Sequence, residues 1–155
     1  MNYRLLSTTA LLALALAACN PTKPAPEMPT TEPTAANGRA EKGNPAAEDK
    51  RWQLIELYGQ PVAGRADTHY LIFHSKEGRL EAKADCNVLL SDYTIRNTYQ
   101  LQIKPGISTR MACPGNLEQE LSRALAEADN LSVSAISLSL NKARMAPLAR
   151  FELAK

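Results

Sequence analysis

The sequence predicts an α+β fold, namely a mostly antiparallel β-sheet with one amphipathic helix at about residues 116–128. After residue 50, short runs alternate apolar and polar residues with a period of two, which is typical of strands with one buried face. Turn-forming residues separate these runs. Only one segment places apolar residues at helical spacing.

Three strands are predicted between residues 52 and 84. Residues 52–57 are rich in β-forming residues, and the Gly-Gln-Pro sequence at 59–61 ends them. Residues 70–74 are a short apolar run that predicts a buried strand. A turn at 76–79 leads into alternation over 80–84, so these two strands are expected to form a hairpin.

The remaining strands show the same alternation. It recurs at residues 92–96 and 100–104, and a polar loop comes next. Further strands are expected at 131–135 and 137–140. A last strand, after a turn at 141–144, places Ala149, Phe151 and Leu153 inward.

The predicted helix has a recognisable start and one apolar side. Asn116 is its expected N-cap, with Gln119 three residues later as in a capping box. The apolar stripe, most simply part of the core, comprises Leu117, Leu121, Ala124, Leu125 and Ala128. The residues expected to face water are Glu118, Glu120, Arg123 and Glu127.

Composition and motifs exclude several function classes. The formal net charge is +2 with both signs scattered, so nothing predicts a nucleic-acid partner. No phosphate loop, nucleophile elbow or HExxH motif is present, so we expect no catalytic residues, no cofactor and no enzymatic activity. His69 and His74 are five apart on one strand and face opposite sides, so we expect no metal site.

The first eighteen residues have the organisation of an export signal. A short polar start carrying Arg4 precedes an apolar segment over 5–18, which is too short to span a bilayer as a stable helix. The segment ends in Leu16-Ala17-Ala18-Cys19, which resembles the lipobox of bacterial lipoproteins. This resemblance implies cleavage before Cys19 and acylation of that cysteine. The alternatives are an ordinary signal peptide with an accidental cysteine, or a short anchor helix.

A lipidated Cys19 would attach the protein to a membrane, which is therefore its first expected partner. Each buried methylene contributes about 0.8 kcal/mol, so two or more acyl chains hold durably. Asn20 is not the aspartate that retains enterobacterial lipoproteins at the inner membrane. We therefore expect the bacterial cell envelope, with the outer membrane as the location.

Residues 19–49 differ in composition from the remainder of the chain. Proline recurs among small and polar residues, and almost nothing apolar is available for burial. The segment is predicted to be a disordered tether, about 30 Å in root-mean-square span, before a domain at 50–155. A binding motif within the tether is the alternative interpretation.

Two cysteines remain in the domain, Cys86 and Cys113. In an oxidising compartment such a pair most simply forms one disulfide. It would stabilise the fold by roughly 3–4 kcal/mol. The alternatives are two free thiols, or a reactive cysteine with a resolving partner.

Residues 51–153 resemble the META domain, also called the HslJ-like domain. The most specific marks are Cys86-Asn87 and, some twenty residues later, the sequence Thr-Arg-Met-Ala-Cys-Pro at 109–114. The supporting marks are Trp52-Gln53-Leu54, Gly59, Pro61, Tyr70-Leu71-Ile72-Phe73, Gly78-Arg79-Leu80, Glu120, Leu138-Ser139-Leu140 and Phe151. Asp85 stands where the family tends to have glycine, and it would be strained if that glycine takes a positive φ.

The resemblance implies a fold and a general setting. The fold is a partly open β-barrel with a helix, reminiscent of the lipid-binding pilotins of type III secretion. Family members are small exported or envelope proteins, including a heat-shock-linked lipoprotein connected with novobiocin tolerance and a kinetoplastid virulence protein. No enzymatic activity is attached to the family.

A candidate binding loop comprises Thr109, Arg110 and Met111. In it, Arg110 would bind a charged group of a partner, and Met111 would make an adaptable apolar contact. In the alternative, structural interpretation, Cys113 pins the loop to Cys86, Met111 fills the core, and Thr109 and Asn87 satisfy backbone groups. We favour the structural interpretation. Arg110 is nevertheless the first residue to mutate, because packing explains a loop residue less readily than a core one.

The sequence leaves three functions as hypotheses. The first is a non-catalytic envelope lipoprotein that binds a lipid or an envelope protein in stress response or antibiotic tolerance. The second is a surface-exposed module that contacts a host or inhibits an enzyme. The third is a lipid carrier, with the helix stripe as one wall of an apolar cavity.

The Cys19→Ser variant tests the lipid anchor. Without the thiol no thioether to diacylglycerol can form, so we expect incorporation of labelled palmitate to be abolished. The protein should then be released from the membrane or remain unprocessed. Normal labelling would refute the lipobox.

Overall fold

A computed structural model describes residues 42–143 and 145–155. Within them lie ten strands and one helix. In chain order these are β1 (Arg51–Leu57), β2 (Gln60–Pro61), β3 (Tyr70–His74), β4 (Arg79–Ala84), β5 (Asn87–Arg96), β6 (Gln100–Ile103), β7 (Ile107–Ser108), α1 (Leu117–Glu127), β8 (Asn130–Val133), β9 (Ser137–Asn141) and β10 (Ala149–Leu153). The predicted signal peptide and Cys19 lie outside the described residues.

Eight of the strands form a closed antiparallel barrel. Their order is β1, β3, β4, β5, β6, β8, β9 and β10, and β10 pairs with β1 to close the ring. The predicted α+β class, a curled antiparallel sheet with one helix, is confirmed. The ring closes fully, although its β6–β8 joint is a single residue pair, Gln100 with Asn130.

Helix α1 packs against β1 and β4 and buries Leu121, Ala124 and Leu125. The predicted helix is therefore confirmed, but its capping box is wrong. The Asn116 side chain makes no cap hydrogen bond, and its amide instead donates to Glu120 Oε1 at 2.6 Å. In the part of the chain that the structure describes, no helix is long and apolar enough to cross a membrane.

The barrel interior is filled with large side chains. Inward-facing residues alternate clearly along β4 and along the second half of β5, as the period of two predicts. The rings of Phe73 and Tyr93 pack edge to face with centroids 4.8 Å apart. The largest fully buried side chains are Trp52, Phe73, Phe151, Leu54, Leu71, Leu80, Ile95, Leu125, Leu138 and Leu140.

Residues 42–49 are part of the packed domain. Ala47 is fully buried, and its carbonyl oxygen accepts a hydrogen bond from Trp52 Nε1 at 2.7 Å. Glu48 Oε1 accepts one from the Tyr93 hydroxyl at 2.6 Å, and burial followed by this bond raises the pKa of Tyr93. Residues 42–49, which the sequence assigns to the end of a predicted tether at 19–49, therefore belong to the domain, because these contacts hold them on the barrel.

Two short strands and half of a long one were not predicted from the sequence. β5 begins at Asn87, ahead of the alternation seen from residue 92, and β7 lies where a polar loop was expected. A Cβ at Gly106 would collide with the Leu90 carbonyl oxygen, so glycine allows β7 to approach β5. β2 pairs with the end of β1, although its sequence resembles a strand break.

The barrel has two distinct ends, which the ten residues of β5 connect. At about 3.3 Å per residue β5 is roughly 30 Å long. At the entry end, Lys42 forms a backbone bridge with Arg96, the last residue of β5. At the disulfide end, β5 begins at Asn87, next to Cys86.

A chain that starts at residue 50 should be less stable than one that starts at residue 42. Removing 42–49 leaves the Trp52 indole N–H buried without its partner and takes the Glu48 carboxylate from Tyr93. We expect a loss of roughly 2–4 kcal/mol in the free energy of unfolding, measured by urea denaturation. Equal midpoints for the two chains would contradict the assignment of 42–49 to the domain.

Candidate functional site

The 109–113 loop follows β7 at the disulfide end of the barrel. A disulfide joins Cys86 to Cys113, with their Cα atoms 6.0 Å apart and a sequence separation of 27. Cys86 lies in the turn between β4 and β5, so the bond attaches the loop directly to the barrel. These are the two cysteines that the sequence analysis pairs.

Asn87 holds the loop backbone on both sides of Met111. Its side chain is buried, at 3% exposed. Asn87 Oδ1 accepts hydrogen bonds from the Met111 N–H at 2.9 Å and the Thr109 hydroxyl at 2.8 Å. Asn87 Nδ2 donates to the Met111 carbonyl oxygen at 3.0 Å. One buried amide therefore fixes the path of the loop.

Glu118 supports this arrangement from the first turn of α1. Its Oε2 accepts from Asn87 Nδ2 at 2.6 Å, and its Oε1 accepts from the Ser108 hydroxyl at 2.7 Å. The expectation that Glu118 faces water is wrong, because these two donors draw its carboxylate inward. The spacing of Glu118 could have indicated this partly buried position. It lies three residues before Leu121 and seven before Leu125, so it flanks the apolar stripe.

The side chains of Arg110 and Met111 are exposed, Met111 to 56%. The structural interpretation of the loop is therefore correct for Cys113, Thr109 and Asn87 but wrong for Met111, which does not fill the core. Core packing gives no reason for an arginine or a methionine at these two positions. The backbone of the loop is structural, whereas these two side chains are available for contact.

An apolar strip lies on the outer barrel surface beside the loop. It consists of Val88 and Leu90, both half-buried on β5, and Ile107, which pairs with Leu90 and is 74% exposed. The Thr109 N–H donates to the Val88 carbonyl oxygen at 3.1 Å, which connects the strip to the loop. The strip was not predicted from the sequence, because residues 88–90 received no assignment and Ile107 fell in the expected polar loop.

A cleft of about 270 Å³ adjoins the strip. Leu90, Ile107 and the aliphatic Pro105 give it an apolar side. Its full lining is Arg79, Leu90, Ser91, Asp92, Lys104, Pro105, Gly106 and Ile107.

The two histidines are engaged separately. His69 Nε2 lies 3.2 Å from Asp85 Oδ1, and His74 Nε2 lies 3.3 Å from Glu81 Oε2. Asp85 has a φ of +58°, in the left-handed region that glycine adopts without strain, and its carboxylate faces the His69 ring. Among residues 42–143 and 145–155, no three histidine, cysteine or acidic side chains are grouped as metal ligands.

The fold and the site together define a small antiparallel barrel domain with a loop stapled by a disulfide. The family profile of the META domain matches residues 45–155, and the chain belongs to this family. The META domain is not a known enzyme family. The resemblance drawn from the sequence is thus confirmed.

A protein whose structure was determined by NMR has a similar fold. Its TM-score is 0.53 at 23% sequence identity, and the match covers 67% of this chain and 88% of that chain. Comparison with curated proteins found no match.

Substitutions in and beside the loop should distinguish a residue that stabilises the fold from a residue that is free to contact a partner. Asn87→Ala leaves the Met111 N–H and the Glu118 carboxylate without their buried partner, so we expect a loss of about 2–3 kcal/mol in the free energy of unfolding. Arg110→Ala should change it by less than about 0.5 kcal/mol. Urea denaturation of the oxidised protein measures both, and a large loss for Arg110→Ala would show that Arg110 is structural.

Proposed function

We propose that this protein is a non-catalytic bacterial envelope lipoprotein whose META domain binds a protein partner through Arg110 and Met111. The lipid on Cys19 holds it at the outer membrane, and its role is in envelope stress or antibiotic tolerance, as the family resemblance suggests. One observation carries the binding proposal. The disulfide and Asn87 fix the 109–113 loop, while Arg110 and Met111 remain exposed.

A fixed loop favours binding for an entropic reason. Ordering a loop on association reduces affinity, and a loop that is already ordered avoids most of that reduction. Arginine and methionine are both enriched in protein interfaces, arginine for charge and hydrogen bonds and methionine for adaptable apolar contact. The disulfide and the buried Asn87 amide thus make the loop ready to bind before a partner arrives.

The position of the loop suits a tethered module. The chain reaches the domain at the entry end, where Lys42 and Arg96 form their bridge, and the loop lies at the disulfide end. The ten residues of β5, roughly 30 Å along the strand, lie between these ends. The attachment of the tether therefore leaves the loop free for a partner in the envelope.

The lipid-carrier hypothesis receives less support. Trp52, Phe73 and Phe151 are fully buried and occupy the space that an acyl chain would need inside the barrel. The stripe residues Leu121 and Leu125 are buried in the same core. A cleft of about 400 Å³ at the entry end is lined in part by charged residues, among them Lys42, Glu48, Lys76 and Glu77.

The paired variant Arg110→Ala with Met111→Ala tests the proposed contact. With the full lipoprotein as bait in the native envelope, wild-type protein should recover a partner that this variant loses, because both contact side chains are truncated. A suitable control is Arg96→Ala with Met145→Ala. Arg96 is exposed at the entry end, and Met145 is 68% exposed in the connection between β9 and β10.

Recovery is measured by quantitative mass spectrometry after matched loading of the three baits. Their melting temperatures should agree within a few degrees, so that loss of the partner reflects contact and not unfolding. Equal recovery by the loop variant and the control would rule out the loop as the binding site.

A further inference from the structure

The apolar strip is surrounded by positive side chains. Lys83 pairs across β4 and β5 with Val88, and Arg79 pairs with Asp92, so both lie on the outer face that carries the strip. Arg110 belongs to the adjoining loop and is exposed. Within the described ranges, none of these three cations has a carboxylate within 4.0 Å.

The carboxylates on this face are already engaged. Asp92 pairs with Lys104 at 3.4 Å. Glu81 accepts a hydrogen bond from the Tyr70 hydroxyl at 2.5 Å and lies beside His74. Within residues 42–143 and 145–155, the face therefore presents three positive side chains without a salt bridge around Val88, Leu90 and Ile107, although the chain as a whole is nearly neutral.

We propose that the partner contacts this face through an acidic segment that also carries an apolar side chain. The apolar side chain packs against Leu90 and Ile107 in the adjoining cleft, and the acidic groups pair with Arg79, Lys83 and Arg110. This inference rests on the proposed function, since it names the chemistry of the partner that the 109–113 loop binds.

Three features on this face match such a segment. The cleft, at about 270 Å³, has room for one or two side chains against an apolar wall. Ile107 is 74% exposed, and covering it with an apolar group removes that surface from water. Arginine binds carboxylates through two parallel hydrogen bonds, so Arg79 and Arg110 add orientation as well as charge.

A protein segment fits this face better than an anionic lipid surface. Lipid headgroups rearrange around any cluster of cations, so lipid binding needs no fixed loop geometry. Here Asn87 and the disulfide hold the loop in one conformation. The cleft is also concave, so it receives an inserted side chain and does not itself insert into a bilayer.

Photo-cross-linking in intact cells of the native host tests the proposal with the full chain. Ile107 is replaced by the photoreactive p-benzoylphenylalanine, and Ile136 is replaced in a matched control. Ile136 is 71% exposed but lies in the turn between β8 and β9, away from the strip. After irradiation, mass spectrometry identifies what has been joined to each position and, for a protein, which peptide.

We expect a protein adduct at position 107 at least about tenfold above that at position 136, with acidic residues beside the cross-linked apolar side chain. Arg79→Glu with Arg110→Glu should reduce this adduct by about tenfold or more, a change of about 1.4 kcal/mol or more in binding free energy. Arg96→Glu, which reverses a charge at the entry end, should leave it unchanged.

The other outcomes overturn the inference at different levels. A lipid adduct, an adduct with a second copy of this chain, or a protein adduct that survives the double charge reversal refutes the acidic protein segment. In those cases partner recovery by the Arg110→Ala, Met111→Ala variant decides separately whether the loop binds. The proposed function is refuted as well if two results occur together. The yield of adduct at position 107 is then no higher than at position 136, and the loop variant recovers the partner as well as the control does.

Discussion

The pairing of β10 with β1 is the constraint on which the rest of the structure depends. It joins the last strand of the chain to the first, from Trp52 opposite Leu153 to Leu57 opposite Ala149. Without it the eight-strand ring would have two open edges, and the backbone groups along them would lack partners. Closure also encloses Trp52, Leu54 and Phe151, so it completes the core and the hydrogen bonding together.

A closed barrel leaves its two ends as the places where function can vary. The entry end is covered by residues 42–49, through Ala47 and Glu48. The disulfide end combines a buried amide, Asn87, with exposed side chains a few residues away in space. The backbone of the loop is therefore fixed, whereas two of its side chains are exposed to solvent. This combination is expected of a preorganised binding surface.

Much of the fold can be predicted from local patterns, and the parts that were missed share a cause. Alternation and helical spacing located most strands and the helix, because these patterns depend on residues near one another in sequence. Glu118 and Met111 were misjudged because their environments are set by Asn87, which is 31 and 24 positions away. Residues 42–49 have no period, and contacts with distant residues such as Phe73, Tyr93 and Ile95 make them part of the domain.

The sequence by itself determined the family. It also predicted that Cys86 pairs with Cys113 and that residues 109–111 form a candidate binding loop. Those conclusions rest on residue types and spacings that need no coordinates. Only the tertiary structure decided that Arg110 and Met111 face solvent and that Ile107 joins Val88 and Leu90 beside unpaired cations. Exposure and charge pairing depend on which strands are neighbours, and closure of the barrel sets that order.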